Sequence, residues 1–229
     1  MTDYRRYAIY YAPPAGDFAR RTAEWLGWDV QAGQDMAQPD LPGLPRPLAD
    51  LTRDPRKYGF HGTIKAPFRL AEGADAAGLS AAVTALAARL APVVLPGLAL
   101  KRLGGFLALL PEGDETELMA LAAEVVTGLD AFRAPLTEAE IAKRRPERLN
   151  PRQRDLLAQW GYPYVLEEFR FHLTLSDKLD EVEGAALAAV AARYFEGALP
   201  QPFTIGDLCL CGEDAAGRFH LLSRHALTG

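Results

Sequence analysis

The sequence predicts an α+β fold built from two similar halves, and two observations support that prediction. The element order strand, helix, strand, strand occurs twice in the 229-residue chain, first from Phe60 and again from Phe169. The motif Phe-His-x-Thr opens each copy, at 60–63 and at 171–174. Units of this kind form antiparallel sheets with helices packed outside them. We therefore expect a duplicated, two-lobed domain over residues 1–229, with pseudo-twofold symmetry and an active cleft between the lobes.

The elements before the first motif follow from local patterns. Tyr7 to Ala12 is an aromatic and β-branched run that stops at two prolines, which predicts a strand. Apolar residues at helical spacing follow it, and Gly27 ends that helix. Residues 29–57 hold many prolines, glycines and aspartates and predict a long loop. A loop of that length in a compact domain is usually functional.

The later elements follow from alternation, helical spacing and turn residues. The predicted strands lie at 60–70, 93–102, 106–110, 169–175, 203–211 and 219–222. Apolar helix stripes occupy 79–90, 118–129 and 187–195. Residues 133–163 have a different character, with helix-start signals at Thr137 and Asn150, and they predict a helical insert.

Composition and charge limit the classes of partner. The formal net charge is −5, so the chain lacks the overall positive charge that favours binding of polyanions. RNA is a possible but not a favoured partner. Cys209 and Cys211 lie two residues apart in an apolar strand without further ligands nearby, so we expect no disulfide, metal or other cofactor. The first residues lack a signal peptide, and no apolar run nears the ~20 residues that span a bilayer. A cytoplasmic protein without membrane contact is therefore expected, and the sequence leaves its oligomeric state open.

The repeated motif matters because alternate residues of a strand face opposite sides of its sheet. The phenylalanine of each motif would then face the core. The polar residues on the other face would be His61, Thr63 and Lys65 in one strand, and Arg170, His172, Thr174 and Ser176 in the other. If the two strands are neighbours, two pairs of an imidazole and a hydroxyl face one cleft.

Such an arrangement can cleave a phosphoester without a metal ion. One neutral imidazole takes a proton from the attacking oxygen, and the other, protonated, gives one to the leaving oxygen. The threonine hydroxyls can donate hydrogen bonds to the non-bridging oxygens, and Lys65 can add positive charge. The alternative interpretation is a structural His–Thr pair in each strand, which the matching flanking residues disfavour.

The two His-x-Thr-x tetrads, at 61–64 and 172–175, resemble those of the two-histidine (2H) phosphoesterase superfamily, which includes LigT-like RNA cyclic phosphodiesterases and 2′-5′ ligases. The run 98–110 is similar to the hairpin that follows the first tetrad in that superfamily. The runs 58–68, 160–164 and 169–175 look like a bacterial branch that is often found with phosphonate-utilisation genes.

The resemblance implies roles for four residues. His61 and His172 would be the acid–base pair, and Thr63 and Thr174 would bind phosphate oxygens; which histidine is the base stays open. The implied enzyme is a metal-independent phosphoesterase that hydrolyses a cyclic or diester phosphate of a small nucleotide or sugar. The alternatives are a 2′-5′ RNA ligase or RNA-end cyclic phosphodiesterase, and a non-catalytic protein that binds a phosphate ligand.

Two segments, 29–57 and 133–163, depart from the simpler members of that superfamily and are expected to wall the cleft. The insert holds the densest basic cluster, and its Arg144, Arg145 and Arg148 could pair with a second phosphate or a carboxylate. A solvated helix end is the alternative interpretation of that cluster. Within the insert, the aromatic side chains that could stack on a base or sugar, or simply pack, are Tyr162 and Tyr164.

Overall fold

The computed structural model describes residues 4–229, and these residues form eleven strands. The strands are β1 (Arg6–Tyr11), β2 (Trp28–Asp29), β3 (Gln34–Asp35), β4 (Gly62–Phe68), β5 (Val93–Leu95), β6 (Leu98–Leu103), β7 (Phe106–Pro111), β8 (Leu173–Thr174), β9 (Phe203–Ile205), β10 (Asp207–Glu213) and β11 (Phe219–Ala226). The α-helices are α1 (Asp17–Leu26), α2 (Leu48–Leu51), α3 (Ala76–Ala87), α4 (Thr116–Gly128), α5 (Glu138–Lys143), α6 (Pro151–Trp160) and α7 (Glu181–Tyr194). Short 3-10 helices stand at Pro55–Tyr58, Asp130–Phe132, Pro146–Arg148 and Leu166–Glu168.

Seven strands form one sheet in the order β11-β10-β1-β4-β8-β7-β6, and every pair of neighbours is antiparallel. The hairpin β6–β7, which follows β4 in the chain, pairs with β8. The hairpin β10–β11, which follows β8, pairs with β1 beside β4. The predicted α+β class with antiparallel strands is confirmed, and both halves contribute to the same sheet. The pseudo-twofold symmetry and the domain limits stay predictions.

The main hydrophobic core lies on one face of this sheet. Helices α1, α3, α4 and α7 supply Trp25, Leu79, Leu121 and Leu187, which cluster with Ile9, Ile64 and Leu173 of the strands. Tyr10, next to Ile9 in β1, belongs instead to a smaller cluster on the opposite face. The two faces of the central strands are therefore distinct, as the alternation of buried residues predicts.

Both cysteines belong to that smaller cluster and are free and buried. Burial raises the pKa of Cys209 to about 12, which keeps its thiol protonated and unreactive at neutral pH.

The structure differs from the predicted elements in two places. The strand predicted at 169–175 is regular only at Leu173–Thr174. Just beyond it, the hydroxyl of Ser176 accepts a hydrogen bond from the N–H of Leu107. The loop predicted at 29–57 contains strand β3, which pairs with β2, and helix α2. The 3-10 helix Pro55–Tyr58 begins near its end. None of the helices in residues 4–229 combines the length and the apolar character needed to cross a bilayer.

Candidate active site

The two tetrads meet where the halves of the sheet join. Strands β4 and β8 pair through Gly62 and Leu173. Continuing this antiparallel register by one residue on either side places His61 opposite Thr174 and Thr63 opposite His172. Residues opposite each other in an antiparallel pair have Cβ atoms about 4.5–5.5 Å apart, and diagonal neighbours are about 7–8 Å apart. Each imidazole thus faces the hydroxyl of the other tetrad, with the two histidines on a diagonal.

A glycine permits this close approach. A Cβ atom built on Gly62 would lie 2.2 Å from Cζ of Phe171, whose ring fills the space beside β4. Phe171 is only 2% exposed and belongs to the main core. The absence of a side chain at Gly62 therefore lets Phe171, which precedes the second tetrad, pack across the junction of β4 and β8.

One cleft of about 770 Å³ is lined by the two histidines and two threonines of the tetrads, His61, Thr63, His172 and Thr174. This volume suits a small-molecule ligand. The cleft lies on the face of the sheet that carries Tyr10, away from the main core. The 29–57 segment contributes Asp54 and Pro55 to its wall, and the 133–163 insert contributes Glu140, Arg144 and others. Arg6 and Glu213, whose side chains meet in an ion pair with contacts of 2.5 and 2.6 Å, complete another part of the lining.

Both imidazoles are held in the same way. Nδ1 of His61 lies 2.8 Å from the carbonyl oxygen of Gly59, and Nδ1 of His172 lies 2.8 Å from that of Arg170. A carbonyl only accepts, so each Nδ1 donates its proton and each Nε2 is left for the cleft. Gly59 has a φ of 69°, and a Cβ atom there would stand 2.8 Å from Cβ of Val30, so glycine is needed at the turn that presents this carbonyl.

The environment of His61 keeps its imidazole neutral. The ring of Tyr10 stacks on it with centroids 4.0 Å apart, and that of Tyr58 lies 5.8 Å away. Burial lowers the pKa of His61 to about 4; the bond to Gly59 opposes this shift, and positive charge on His172 adds to it. Tyr10 was not among the predicted site residues, although its place in β1 on the face opposite Ile9 was a usable signal.

The two threonine hydroxyls are unoccupied donors. Neither the hydroxyl of Thr63 nor that of Thr174 has a hydrogen-bond partner among residues 4–229, and both residues line the cleft. Ser176 also lines it, but its hydroxyl already donates to the carbonyl of Asp177 at 2.8 Å and accepts from Leu107. The expected direct role of Ser176 toward a ligand therefore does not fit, because its one proton is used to shape the chain after β8.

The expectation that Lys65 shares the face of His61 is wrong. The pairing of β1 with β4 is irregular between Thr63 and Lys65, so strict alternation fails there. The ammonium group of Lys65 donates to the carbonyl of Val126 at 2.9 Å and lies 3.3 Å from Oδ1 of Asp130. Burial lowers the pKa of Lys65 to about 8, although Asp130 opposes the shift. Lys65 thus fastens β4 to the end of α4 and does not line the cleft.

The other basic and aromatic candidates divide into two groups. Arg144 and Tyr162 line the cleft, with Cζ of Arg144 4.7 Å from the centroid of the tyrosine ring. Arg170, Arg145 and Tyr164 are exposed and are not among the residues that line it. Arg148 is likewise exposed outside the cleft, so Arg145 and Arg148 match the solvated helix end of the alternative interpretation. Within the described part of the chain, no group of three or more His, Cys, Asp or Glu side chains is arranged to hold a metal ion.

Comparison with known proteins gives the family. Residues 63–220 match the family described as "Protein of unknown function (DUF1045)". The chain belongs to the DUF1045 family. Two curated relatives have the name ribose 1,5-bisphosphate phosphokinase PhnN. That of Janthinobacterium sp. (strain Marseille) is 40% identical over 218 residues, which are 93% of this chain and 48% of the relative. That of Laribacter hongkongensis (strain HLHK9) is 40% identical over 220 residues, which are 96% of this chain and 51% of the relative.

This DUF1045 chain thus spans about half the length of the curated relatives it matches. Among solved structures, E. coli LigT complexed with 3′-AMP is 18% identical and aligns over 99% of this chain and 100% of that chain, with a TM-score of 0.47.

Proposed function

We propose that this chain is a metal-independent phosphoesterase that hydrolyses a cyclic or diester phosphate of a small nucleotide or sugar by acid–base catalysis. One observation carries the proposal. Two imidazoles, each tied at Nδ1 to a backbone carbonyl, present Nε2 to a common cleft beside two hydroxyls without partners. A site that only bound an anion would be served by fixed cations, whereas a pair of oriented imidazoles can move protons.

The proposed reaction assigns His61 as the base. Its neutral Nε2 takes a proton from water, and the water oxygen forms a bond to phosphorus as the bond to the leaving oxygen breaks. His172, in its protonated form, gives its Nε2 proton to that leaving oxygen. The hydroxyls of Thr63 and Thr174 donate to the non-bridging oxygens, whose charge is concentrated in the transition state. Proton exchange with solvent then restores both imidazoles.

The kinase name of the relatives belongs to chains about twice as long as the matched segment, so it does not decide the activity of this one. The sequence contains no Gly-Lys pair and therefore no P-loop of the Gly-x-x-x-x-Gly-Lys-Ser/Thr type. The name nevertheless supports a phosphorylated ribose as the class of substrate. A ribose or nucleoside cyclic phosphate meets both this suggestion and the chemistry of the cleft.

Turnover of nucleoside 2′,3′-cyclic phosphates with EDTA present tests the proposal. We expect one phosphomonoester product, formed at a rate that EDTA leaves unchanged. Phosphorus NMR measures the formation of this product. Loss of turnover with EDTA and recovery with added metal would refute the metal-independent scheme. Binding without turnover would instead indicate a phosphate-binding protein. Joining of RNA ends, with retention on RNA that falls as salt rises, would indicate the ligase.

The pH dependence tests the assignment of the base. Because His61 must be neutral to accept a proton, kcat/KM should fall on the acid side as pH drops through the pKa of about 4. The opposite assignment, with His61 as the acid, would confine activity to pH values below that pKa. Rates measured from pH 3 to 9 on one cyclic phosphate distinguish the two assignments. Tyr10→Leu, which removes the stacked phenol, should shift the acid limb to higher pH as water reaches the imidazole.

A further inference from the structure

One wall of the cleft carries positive charge that the hydrolytic scheme does not use. Lys143 and Arg144 stand at the end of α5, both line the cleft, and neither has a carboxylate partner among residues 4–229. The other ionic groups of this wall are already engaged. Glu140, for example, is held by Arg69 at 3.0 Å, and this contact lowers the pKa of its carboxyl group to about 2.

Arg144 is held in a defined place rather than left mobile on the surface. Helix α5 begins with a capping box between Thr137 and Glu140, and the ion pair to Arg69 anchors it to the chain just beyond β4. The guanidinium of Arg144, partly buried, then lies over the ring of Tyr162 with Cζ 4.7 Å from the centroid. Arg5 and Lys178, the other unpaired cations of the lining, are exposed and have no such support.

This stacking decides between the two ligand types that the insert could bind. One face of the Tyr162 ring is covered by Arg144, and Tyr164 meets the ring edge-on with centroids 5.7 Å apart. The face of the ring that Arg144 covers is therefore not free to stack on a base. A guanidinium that stacks by its face keeps its N–H edge for a ligand, and that planar edge matches phosphate oxygens. Because Lys143 adds a second positive charge, the wall suits a dianionic phosphomonoester better than a singly charged carboxylate.

We propose that Arg144, assisted by Lys143, binds a second phosphate group of the substrate, a phosphomonoester on the same molecule as the cyclic or diester phosphate held by His61 and His172. This proposal rests on the proposed function. It makes the insert the element that selects bisphosphorylated substrates, since it alone brings Arg144 into the cleft.

Three matched substrates test the proposal: a nucleoside 2′,3′-cyclic phosphate, the same compound with a 5′-phosphate, and the same compound with a 5′-carboxylate. We expect the 5′-phosphate to raise kcat/KM at least tenfold over the parent and the carboxylate to raise it less. In Arg144→Ala, the ratio of kcat/KM for the 5′-phosphate compound to kcat/KM for the parent compound should fall tenfold or more. Arg144→Lys, which keeps the charge but loses the planar fork, should retain part of it.

Arg148→Ala is the matched control, because Arg148 belongs to the same basic cluster but lies outside the cleft; its ratio should equal that of the wild type. Equal rates on the three substrates, or an unchanged ratio in Arg144→Ala, would overturn the second phosphate site. Equal gains from phosphate and carboxylate would overturn its selectivity. If the wild type turned over none of them, the proposed function would fail by itself. Calorimetric binding of a nucleoside 5′-phosphate to the wild type and to Arg144→Ala would then decide the subsite, with equal affinities overturning it.

Discussion

Replacing either cleft histidine by alanine is expected to lower kcat for a cyclic phosphate by about 10²- to 10⁴-fold, the range typical of a single general acid or base. In the proposed reaction, His61→Ala removes the group that accepts the proton of water, and His172→Ala removes the group that protonates the leaving oxygen. Both act in the same step, so the double variant should be little slower than the slower single variant. Initial rates at saturating substrate measure these losses.

His220→Ala is the control for these variants. Its Nε2 lies 2.8 Å from Oδ2 of Asp214, and the residue is not part of the cleft lining, so its rate should stay near that of the wild type. Thermal melting of each purified variant separates a lost proton donor or acceptor from lost folding. A folded His61→Ala or His172→Ala variant with a wild-type rate would contradict the acid–base assignment.

Adding one methyl group at Gly62 is expected to damage both stability and activity. The new Cβ atom would stand 2.2 Å from Cζ and 2.4 Å from Cε2 of Phe171, a ring packed in the core. Overpacking of this kind costs about 1–3 kcal/mol, and a change of position of about 1 Å at a reacting group can cost about 10²-fold in rate. The midpoint of urea unfolding measures the first effect and kcat measures the second.

Two further variants sharpen the test at Gly62. Gly206→Ala is the matched control, since the nearest atom to a Cβ there is Cγ2 of Thr204 at 4.0 Å. Phe171→Leu removes part of the ring that meets the new methyl group, so Gly62→Ala and Phe171→Leu together should destabilise the protein by less than the sum of their separate effects. Additive losses would show that the two residues do not share this contact.

The central part of the site could be predicted from sequence because it depends on local geometry. A period of two fixes which residues share a face, and His61, Thr63, His172 and Thr174 indeed line one cleft. The same rule failed for Lys65, where the pairing with β1 loses its regular register and the ammonium group instead reaches the end of α4. An irregularity in pairing depends on the partner strand, which the local pattern does not contain.

Contacts between distant segments were the other source of error. Tyr10 stacks on His61 because β1 pairs with β4, and the hydroxyl of Ser176 accepts a hydrogen bond from the N–H of Leu107 in β7. Likewise, the basic cluster gave three candidate arginines, yet only Arg144 lines the cleft, where it meets the ring of Tyr162. Which side chain of a charged run turns inward is set by how α5 is anchored, through Arg69, and not by the run itself.

The path of the chain through the sheet has a consequence for how activity arises. The hairpin β6–β7 is formed by the first half but completes the sheet beside β8 of the second, while β10–β11 returns to the strand that borders β4. The seven-stranded sheet is therefore continuous only when both halves are present. Closing contacts between such remote parts of a chain is slow relative to local folding. The cleft that brings His61 and His172 together is consequently present only once both halves have joined the sheet, so a chain that lacks either half lacks the whole site.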